Sequence, residues 1–449
     1  MSAGARNTPL IMSAQMLASR PAILAALTVV LVCVPTGEKY LTTAANVTAA
    51  DIGSLCLVAA AGLRALAGRR LPRSRLWLGV AIASVGLGVA AVASPDPMTG
   101  AFGLVRYLQV FVLVPVAVVL VVQDRCDLWL VCGSVLAAAG VQGALGVWQY
   151  LTSTGASYGT SDIRAVGTFG ALEVMGMATV VGCGIVLALG LAVVQRGRAR
   201  VLLLAVATLL VIPLLMSLSR GAAIATACAA AVMLVAASPR LAARVAMLTA
   251  AAAVVTAAVA PEAGEAGTRL ATVGTVTSAP DRSVADRYDL WRTAAGMWQD
   301  HPVTGVGLKQ FPAYRDTYAP LSLSSGSDVS DQTIGFLREP LLSPHNMYLL
   351  VLSEQGLVGG LAFCGLLLGL AAMTLRRTLL AREGADAPDG SAPDGRLVSV
   401  AAVGAVTWIL VSFAYGDIGG STTVLISILL GLAMWWAVQP PAASLDGAR

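Results

Sequence analysis

Apolar runs of about 20 residues recur along this chain, and they constrain its fold more than any other feature. A helix of that length spans the hydrocarbon core of a bilayer. Charged residues make up only 12% of the chain, against roughly 25% in soluble domains. The sequence therefore predicts an all-α polytopic membrane protein. Twelve runs are predicted spans, near residues 21–36, 52–68, 76–94, 102–123, 128–150, 168–194, 200–218, 220–237, 243–260, 357–375, 397–415 and 421–438.

Basic residues alternate between the connections that join these runs. Every second connection holds most of them, namely Arg64, Arg69, Arg70, Arg73, Arg75, Arg125, Arg196, Arg198, Arg200, Arg240, Arg244, Arg376, Arg377, Arg382 and Arg396. The short connections between these carry few, chiefly Lys39, Arg164 and Arg220. Because Lys and Arg favour the cytoplasmic side, we expect both termini in the cytoplasm and a location in the inner, cytoplasmic membrane. The first run is expected to stay as a span, since no small-residue cleavage site follows it.

One polar connection is much longer than the others and lies on the outer side of the predicted topology. It divides the chain into spans one to nine (1–260), an extracytoplasmic region (261–356), and spans ten to twelve with the C-terminal tail (357–449). Loops of this length are usually functional or disordered. The acidic residues Asp328 and Asp331 stand in a Ser-rich stretch that is predicted to be a solvated loop.

Part of this region has a helical pattern. Its apolar stripe is predicted to lie against the membrane or the bundle, and consists of Tyr288, Trp291, Ala295 and Trp298. The segment 300–302 (Asp-His-Pro) is predicted to end the helix, and 305–307 (Gly-Val-Gly) to form a tight turn. Since a long polar loop offers the room that a site needs, we expect the function to lie here.

The cysteines lie in or beside the apolar runs, and none lies in the long polar segment. This placement indicates no disulfide framework and no zinc spacing. The cysteines are therefore predicted to be small buried apolar residues.

Arg220 is the only charged residue between Val201 and Pro239, and an apolar span lies on either side of it. It is therefore predicted at the outer tip of a helical hairpin. A guanidinium there is costly unless it reaches water or an anion, and its planar fork suits a phosphate or pyrophosphate. A solvated arginine that only ends two helices is the alternative interpretation.

His345 is one of two histidines in the chain. Ser343 and Pro344 are predicted to be the N-cap and first position of a helix, so His345 would lie in its first turn. The positive end of the helix dipole favours a neutral imidazole, the form that a general base needs. A capping or interfacial role is the alternative, and the other histidine, His301, is given a structural role.

Arg287 and Glu354 are weaker candidates. Arg287 lies one turn before Trp291 on the loop helix, where a charge is otherwise unremarkable. Glu354 lies next to the apolar boundary, where its carboxylate either orients an arginine or a sugar hydroxyl, or marks a helix break.

Four motifs in order resemble the bacterial O-antigen ligase and O-antigen polymerase superfamily of membrane glycosyltransferases, over roughly residues 160–365. The motifs are Arg164 with Gly167-Thr168-Phe169-Gly170, Ser219-Arg220-Gly221, Arg287-Tyr288-Asp289-Leu290-Trp291 with His301-Pro302 and Gly305-Val306-Gly307, and His345-Asn346-Met347-Tyr348-Leu349 with Glu354, Gly356, Gly359 and Gly360. At 171–173 the chain has Ala-Leu-Glu where the family has Asn-Pro-Asn.

The resemblance implies a GT-C-like fold and transfer of a glycan from an undecaprenyl-pyrophosphate-linked donor, with inversion and without metal or cofactor. It implies that Arg220 and Arg287 hold the pyrophosphate. His345 would take the proton of the acceptor hydroxyl, or only hydrogen-bond the donor. The resemblance also places five residues at the substrate, namely Arg164, Trp291, Asn346, Tyr348 and Glu354.

The acceptor stays open. A ligase would use a lipid or wall polymer, and a polymerase another copy of the glycan. Membrane lipids are expected partners and nucleic acids are not. A transporter or flippase for a lipid-linked saccharide is the alternative, although transporters usually place charges at the midplane and these charges cluster at the outer side.

Overall fold

The protein is predominantly helical. The computed structural model describes residues 20–35, 47–158, 163–248, 282–325, 327–331, 335–339, 341–383 and 396–439. The first helices are α1 (Ala22–Val32), α2 (Ala49–Leu66), α3 (Leu76–Val92), α4 (Pro97–Leu108), α5 (Val114–Val121), α6 (Arg125–Leu151), α7 (Gly176–Val194) and α8 (Gly197–Met216). The later helices are α9 (Arg220–Ala237), α10 (239–248), α11 (Arg282–Asp300), α12 (Phe311–Tyr318), α13 (Met347–Glu383), α14 (Arg396–Ser412) and α15 (Thr422–Val438). A π-helical turn, Gln109–Leu113, joins α4 to α5.

A small antiparallel sheet departs from the predicted all-α class. Its strands, in spatial order, are β1 (Ser157–Tyr158), β2 (Ser327–Asp331) and β3 (Gly335–Glu339). Val329 pairs with both Tyr158 and Leu337. The backbone around Asp328 is therefore a strand and not the solvated loop that was predicted. This strand, β2, pairs with its hairpin partner β3 and with the distant strand β1.

The helices fit a polytopic membrane protein. Within the described residues, seven are long and apolar enough to cross a bilayer, counting α4 to α5 as one. Four more apolar helices, α1, α3, α14 and α15, are shorter. Together they occupy eleven of the twelve predicted positions. The remaining position, 243–260, lies mostly outside the described residues.

One end of the helical bundle carries the arginine-rich connections, and we call it the basic end. Here α1 and α6 begin side by side, since Arg20 lies 3.2 Å from the Asp127 carboxylate. Here also α15 ends near the start of α6, because the indole N–H of Trp435 donates to the Val122 carbonyl at 2.9 Å. These contacts thus bring together connections that were predicted to lie on the same side of the membrane.

The opposite end, which we call the polar end, gathers the other connections. The Thr168 hydroxyl donates to the Cys33 carbonyl at 2.7 Å, where α1 has ended. The Ser421 hydroxyl donates to the neighbouring Val32 carbonyl at 2.9 Å. The segments that precede α7 and α15 therefore meet at the C-terminal end of α1.

Small residues let the central helices approach closely. Helix α7 is the most enclosed of the long spans, with 78% of its apolar window buried. A Cβ on Gly190 would lie 2.5 Å from Ala401 of α14, and one on Gly184 would lie 2.4 Å from the Ala139 methyl of α6. Such small-residue contacts allow dispersion and backbone packing to hold helices together in lipid, where no hydrophobic driving force acts between them.

Three sequence predictions need correction. The span predicted from residue 168 begins only at Gly176, because the preceding segment forms an irregular loop at the polar end. The span predicted from 357 begins at Met347 and includes a break. Finally, Cys132 and Cys183 are buried as predicted, but Cys56 and Cys126 are exposed on the helix surfaces.

Candidate active site

The histidine motif forms a tight turn before α13, and not the first turn of the helix. Asn346 is the capping residue, because its side-chain oxygen accepts the Leu349 N–H at 3.1 Å. His345 has a φ of 48°, which few non-glycine residues adopt. Ser343 Oγ accepts the His345 backbone N–H at 3.1 Å. The predicted cap at Ser343 was therefore wrong, since that hydroxyl closes the turn instead.

The turn is attached to the loop between α14 and α15, which we call the α14–α15 loop (residues 413–421). The Met347 N–H donates to the carbonyls of Phe413 at 2.8 Å and Gly416 at 3.0 Å. The Asn346 amide donates to the Ala414 carbonyl at 3.2 Å. The start of α13 is thus fixed to this loop by backbone and side chain together.

Tyr348, the next residue of the motif, reaches the end of α14. Its hydroxyl donates to the Leu410 carbonyl at 2.6 Å. The described bonds of Tyr348 and Asn346 therefore go to the protein backbone, where they set the position of the histidine turn.

Asp417 lies in the α14–α15 loop and contacts the histidine turn directly. The Ser343 hydroxyl donates to its carboxylate, and the His345 backbone N–H interacts with it as well. Burial raises the pKa of Asp417 to about 7, while the His345 N–H and the nearby Arg287 act to lower it. This residue was missed in the sequence. A signal was available, because Asp417 is the only charged residue from 397 to 438.

The imidazole of His345 is neutral at physiological pH. Burial, and secondly the positive charge of Arg287, lower its pKa to about 4. The side chain is half-buried, so part of it stays accessible. The prediction of a neutral imidazole agrees with this direction, but the cause is burial and a neighbouring cation rather than the helix dipole.

Arg287, on α11, lies near both His345 and Asp417. It influences both His345 and Asp417 electrostatically, and one of its guanidinium nitrogens lies 3.9 Å from the Met175 sulfur just before α7. The structure therefore brings together a guanidinium, an imidazole and a carboxylate from three distant segments.

Helix α11 is positioned by a buried face that differs from the predicted stripe. Among the described side chains of α11, those of Leu290, Thr293, Ala294 and Met297 are buried. Of the predicted stripe, Tyr288 is 51% exposed. Trp291 is half-buried, and its indole N–H donates to the Pro344 carbonyl at 3.0 Å. Trp291 thus supports the histidine turn from the side of α11.

Arg220 is the first residue of α9, at the polar end and exposed. Ser219 caps the helix by accepting the Ala222 N–H. Gly221 lies against Tyr415, so closely that a Cβ there would be 2.7 Å from the tyrosine Cβ. The predicted hairpin tip is therefore observed, and it packs on Tyr415 of the α14–α15 loop.

Arg164 lies in the loop that precedes α7. Its backbone pairs with Ala156 in both directions, at 2.7 and 3.0 Å. The next residue, Ala165, donates its N–H to the Met216 carbonyl at the end of α8. Arg164 is thus held near the same hairpin tip that carries Arg220.

Two glutamines of α6 hold the segment after Arg164. Gln149 accepts the N–H groups of Val166 and Gly167 at 3.1 and 2.8 Å, and donates to the Gly167 carbonyl at 2.8 Å. Gln142 accepts the Thr168 N–H and donates to the Thr168 hydroxyl. Neither glutamine was predicted from the sequence, although polar side chains seven positions apart in an apolar helix share one face.

Glu354 is buried within α13, after the histidine turn. Its carboxylate accepts the Phe311 N–H at 3.1 Å and lies 3.5 Å from the Tyr107 hydroxyl. Its carbonyl accepts the Gly307 N–H at 3.0 Å. Glu354 therefore holds the segment between α11 and α12, and it lies just before the break in the helix.

The break lies at Gly356, where the segment after α11 inserts into α13. Gly356 has a φ of 61° and a ψ of −159°. The Leu357 N–H donates to the Pro302 carbonyl at 2.9 Å, and the Val306 N–H donates to the Ser353 carbonyl at 2.9 Å. The freed helix groups are thus satisfied by the inserted segment. The turn predicted at 305–307 is part of it, with positive φ at Gly305 and Gly307.

These features define a class: a polytopic helical membrane protein whose polar end carries an arginine, histidine and carboxylate site. Residues 204–364 match the family model described as O-Antigen ligase. Over these residues the chain is similar to the O-antigen ligase family, which confirms the resemblance drawn from the motifs. The matched stretch includes Arg220, Arg287 and His345, while Arg164 and Asp417 lie outside it. No curated protein matches the chain.

Proposed function

We propose that the protein transfers a glycan from an undecaprenyl-pyrophosphate-linked donor to an acceptor hydroxyl, as a glycosyltransferase of the O-antigen ligase or polymerase type. The observation that carries the proposal is the convergence of Arg287, His345 and Asp417 within or beside the O-antigen ligase match. Transfer inverts the anomeric carbon and needs no divalent metal, as the family resemblance implies.

Arg220 and Arg287 hold the donor pyrophosphate in this proposal. Arginine binds phosphate oxygens with two parallel N–H donors. As the glycosidic bond breaks, negative charge grows on the leaving pyrophosphate, and fixed cations stabilise it more in the transition state than in the ground state. Arg164, on the loop joined to the same hairpin tip, binds the substrate nearby.

His345 takes the proton of the attacking hydroxyl. The neutral imidazole has a free lone pair, although a pKa of about 4 makes it a weak base in the resting protein. A bound pyrophosphate would bring negative charge close to the ring and so raise its pKa towards the working pH. Hydrogen bonding of His345 to the donor without proton transfer is the alternative role.

Trp291, Asn346, Tyr348 and Glu354 contribute to substrate binding by fixing the walls of the site. Trp291, Asn346 and Tyr348 donate to backbone carbonyls of neighbouring segments, and Glu354 accepts the backbone N–H of Phe311. Rigid support of this kind holds the reacting groups in the geometry that the reaction needs.

The site faces the outer side of the inner membrane, and both termini are cytoplasmic. Twelve spans in a GT-C-like arrangement are proposed. The support is the positive-inside rule, together with the contacts that gather the arginine-rich connections at one end and the site at the other. The alternative class is a transporter of lipid-linked saccharides.

The test is a transfer assay with purified protein in lipid vesicles, a lipid-pyrophosphate-linked oligosaccharide and a metal chelator. A ladder of longer lipid-linked chains indicates a polymerase, and a single shift onto a second acceptor indicates a ligase. Movement of the intact donor across the bilayer, with no transfer to any acceptor, would refute the proposal in favour of transport.

Matched variants test the proposed roles of the arginine and the histidine. We expect Arg220→Lys and His345→Ala to abolish transfer while the protein still folds in membranes. The controls are Arg292→Lys, on the exposed side of α11, and His301→Ala, the other and exposed histidine. Wild-type turnover by His345→Ala would refute the assignment of the base.

A further inference from the structure

Glu173 binds the α14–α15 loop at the end where α15 begins, and the histidine turn binds its other end. Its carboxylate accepts the Ser421 N–H at 3.1 Å, and its second oxygen lies 3.5 Å from the Ser421 hydroxyl. The contact is close, because a Cβ on Gly420 would lie 1.7 Å from a Glu173 oxygen. Gly420 also has a φ of 59°, which favours glycine.

Arg106 of α4 holds the same end of the loop. One of its guanidinium nitrogens donates to the Gly420 carbonyl at 2.9 Å. The other pairs with the Asp51 carboxylate at the start of α2, and Gln109 donates to that carboxylate at 3.0 Å. The guanidinium is therefore held in place by its own neighbours while it binds the loop.

The loop is thus fixed at both of its ends. The Phe413 and Gly416 carbonyls accept the Met347 N–H at one end, and Glu173 and Arg106 hold residues 420 and 421 at the other. Asp417 lies between these attachments and meets Ser343 of the histidine turn. A shift at the Gly420 end would therefore move Asp417 relative to His345.

We propose that Glu173 and Arg106 are positioning residues, which fix the α14–α15 loop so that Asp417 and the histidine turn keep the geometry needed for transfer. The inference rests on the proposed function. Neither residue contacts substrate in this account, so their removal acts on the rate of the transfer step through the loop. Glu173 acts as a hydrogen-bond acceptor, which predicts that glutamine can replace it.

The experiment compares Glu173→Ala, Glu173→Gln and the wild type in the vesicle transfer assay. We expect Glu173→Ala to lower kcat roughly 10- to 100-fold, as small displacements in a site do, with KM changed by no more than about twofold. Glu173→Gln should recover most of the rate, because its amide oxygen still accepts the Ser421 N–H. Asp316→Ala is the matched control, since that carboxylate is 86% exposed on α12.

Hydrogen exchange gives a readout that does not depend on activity. In Glu173→Ala, amides of residues 413–421 should exchange about tenfold faster than in the wild type, since an anchoring bond is lost. Glu173→Gln should exchange like the wild type. Unchanged exchange in Glu173→Ala, or equal rate losses in the alanine and glutamine variants, would overturn the inference.

Arg106→Lys is the second variant, for the case in which Glu173→Ala does not fold. A lysine keeps the charge beside Asp51 but lacks the second nitrogen that reaches the Gly420 carbonyl. We expect the same faster exchange and lower kcat, and wild-type values for both would overturn the inference. If the wild type itself transferred nothing, the proposed function would fail, and the exchange of the loop would still decide whether these residues fix it.

Discussion

Replacing Gly356 with alanine tests whether the break in α13 depends on the insertion of the segment after α11. The backbone at Gly356 has a φ of 61° and a ψ of −159°, a combination that is essentially confined to glycine. An added Cβ would lie 2.3 Å from the Val303 carbonyl oxygen and 2.6 Å from the Gly305 nitrogen. Both are backbone atoms, so neither can move aside as a flexible side chain would.

The expected destabilisation has two parts. The strained backbone conformation costs about 1–3 kcal/mol for a residue with a Cβ. Relief of the clash requires the inserted segment to move away, which breaks bonds such as Leu357 N–H to Pro302 O and Val358 N–H to Val303 O. Each lost bond costs about 1 kcal/mol. We therefore expect Gly356→Ala to lower the free energy of unfolding by about 3–5 kcal/mol.

Thermal unfolding of the purified protein in detergent, followed by tryptophan fluorescence, measures this effect. Gly360→Ala is the control on the same helix, because its added Cβ would meet only the Leu352 side chain at an ordinary 3.6 Å. The Tm of Gly356→Ala should fall by several degrees, while that of Gly360→Ala should stay or rise slightly, since alanine favours helix. Equal Tm values for the two variants would refute the account of the break.

Three further predictions concern the site. Burial raises the pKa of Asp417 from 3.8 to about 7, so the folded protein keeps this proton where the unfolded chain has lost it, and stability falls as pH rises through this range. Asp417→Asn should therefore gain most Tm over the wild type at about pH 8, and progressively less as the pH falls towards about 4. Trp291→Phe loses the bond to the Pro344 carbonyl and should lower transfer activity several-fold, with Tm reduced by far less than in Gly356→Ala. Gln149→Leu leaves three backbone groups near Gly167 without their partner and should destabilise the protein by about 3 kcal/mol, measured as the loss of Tm; an unchanged Tm would contradict this.

Much of the membrane part could be predicted from the sequence, because lipid admits few solutions for an apolar run. Helices occupy eleven of the twelve predicted runs, the twelfth lying mostly outside the described residues, and Arg220 lies at the hairpin tip that its flanking runs indicated. The start of α13 could not be predicted in the same way. Ser343 and Pro344 have the local chemistry of a helix start, but Ser343 instead bonds a carboxylate 74 positions away. Contacts at that separation leave no periodic pattern in the chain.

The face of α11 was also mispredicted, for a related reason. The large aromatic residues Tyr288 and Trp291 suggested the buried stripe, but Leu290 and Met297 are the residues enclosed against α13. An aromatic ring on an interfacial helix can remain half-exposed and still use its polar edge, as the Trp291 indole does at the Pro344 carbonyl. Size alone therefore does not identify the packed face.

One rule applied to Arg220 extends to the rest of the site. A charged residue isolated between apolar runs must reach a membrane boundary or a polar partner. Arg106 is the only charged residue between Asp96 and Asp124, Glu173 the only one between Arg164 and Arg196, and Asp417 the only one from 397 to 438. Arg106 and Glu173 bond the α14–α15 loop, Asp417 belongs to it, and the residue after Arg220 packs on it. Isolated charges from spans distant in the sequence thus gather at one loop, because its backbone N–H and carbonyl groups give Arg106 and Glu173 the polar partners that an apolar bundle lacks.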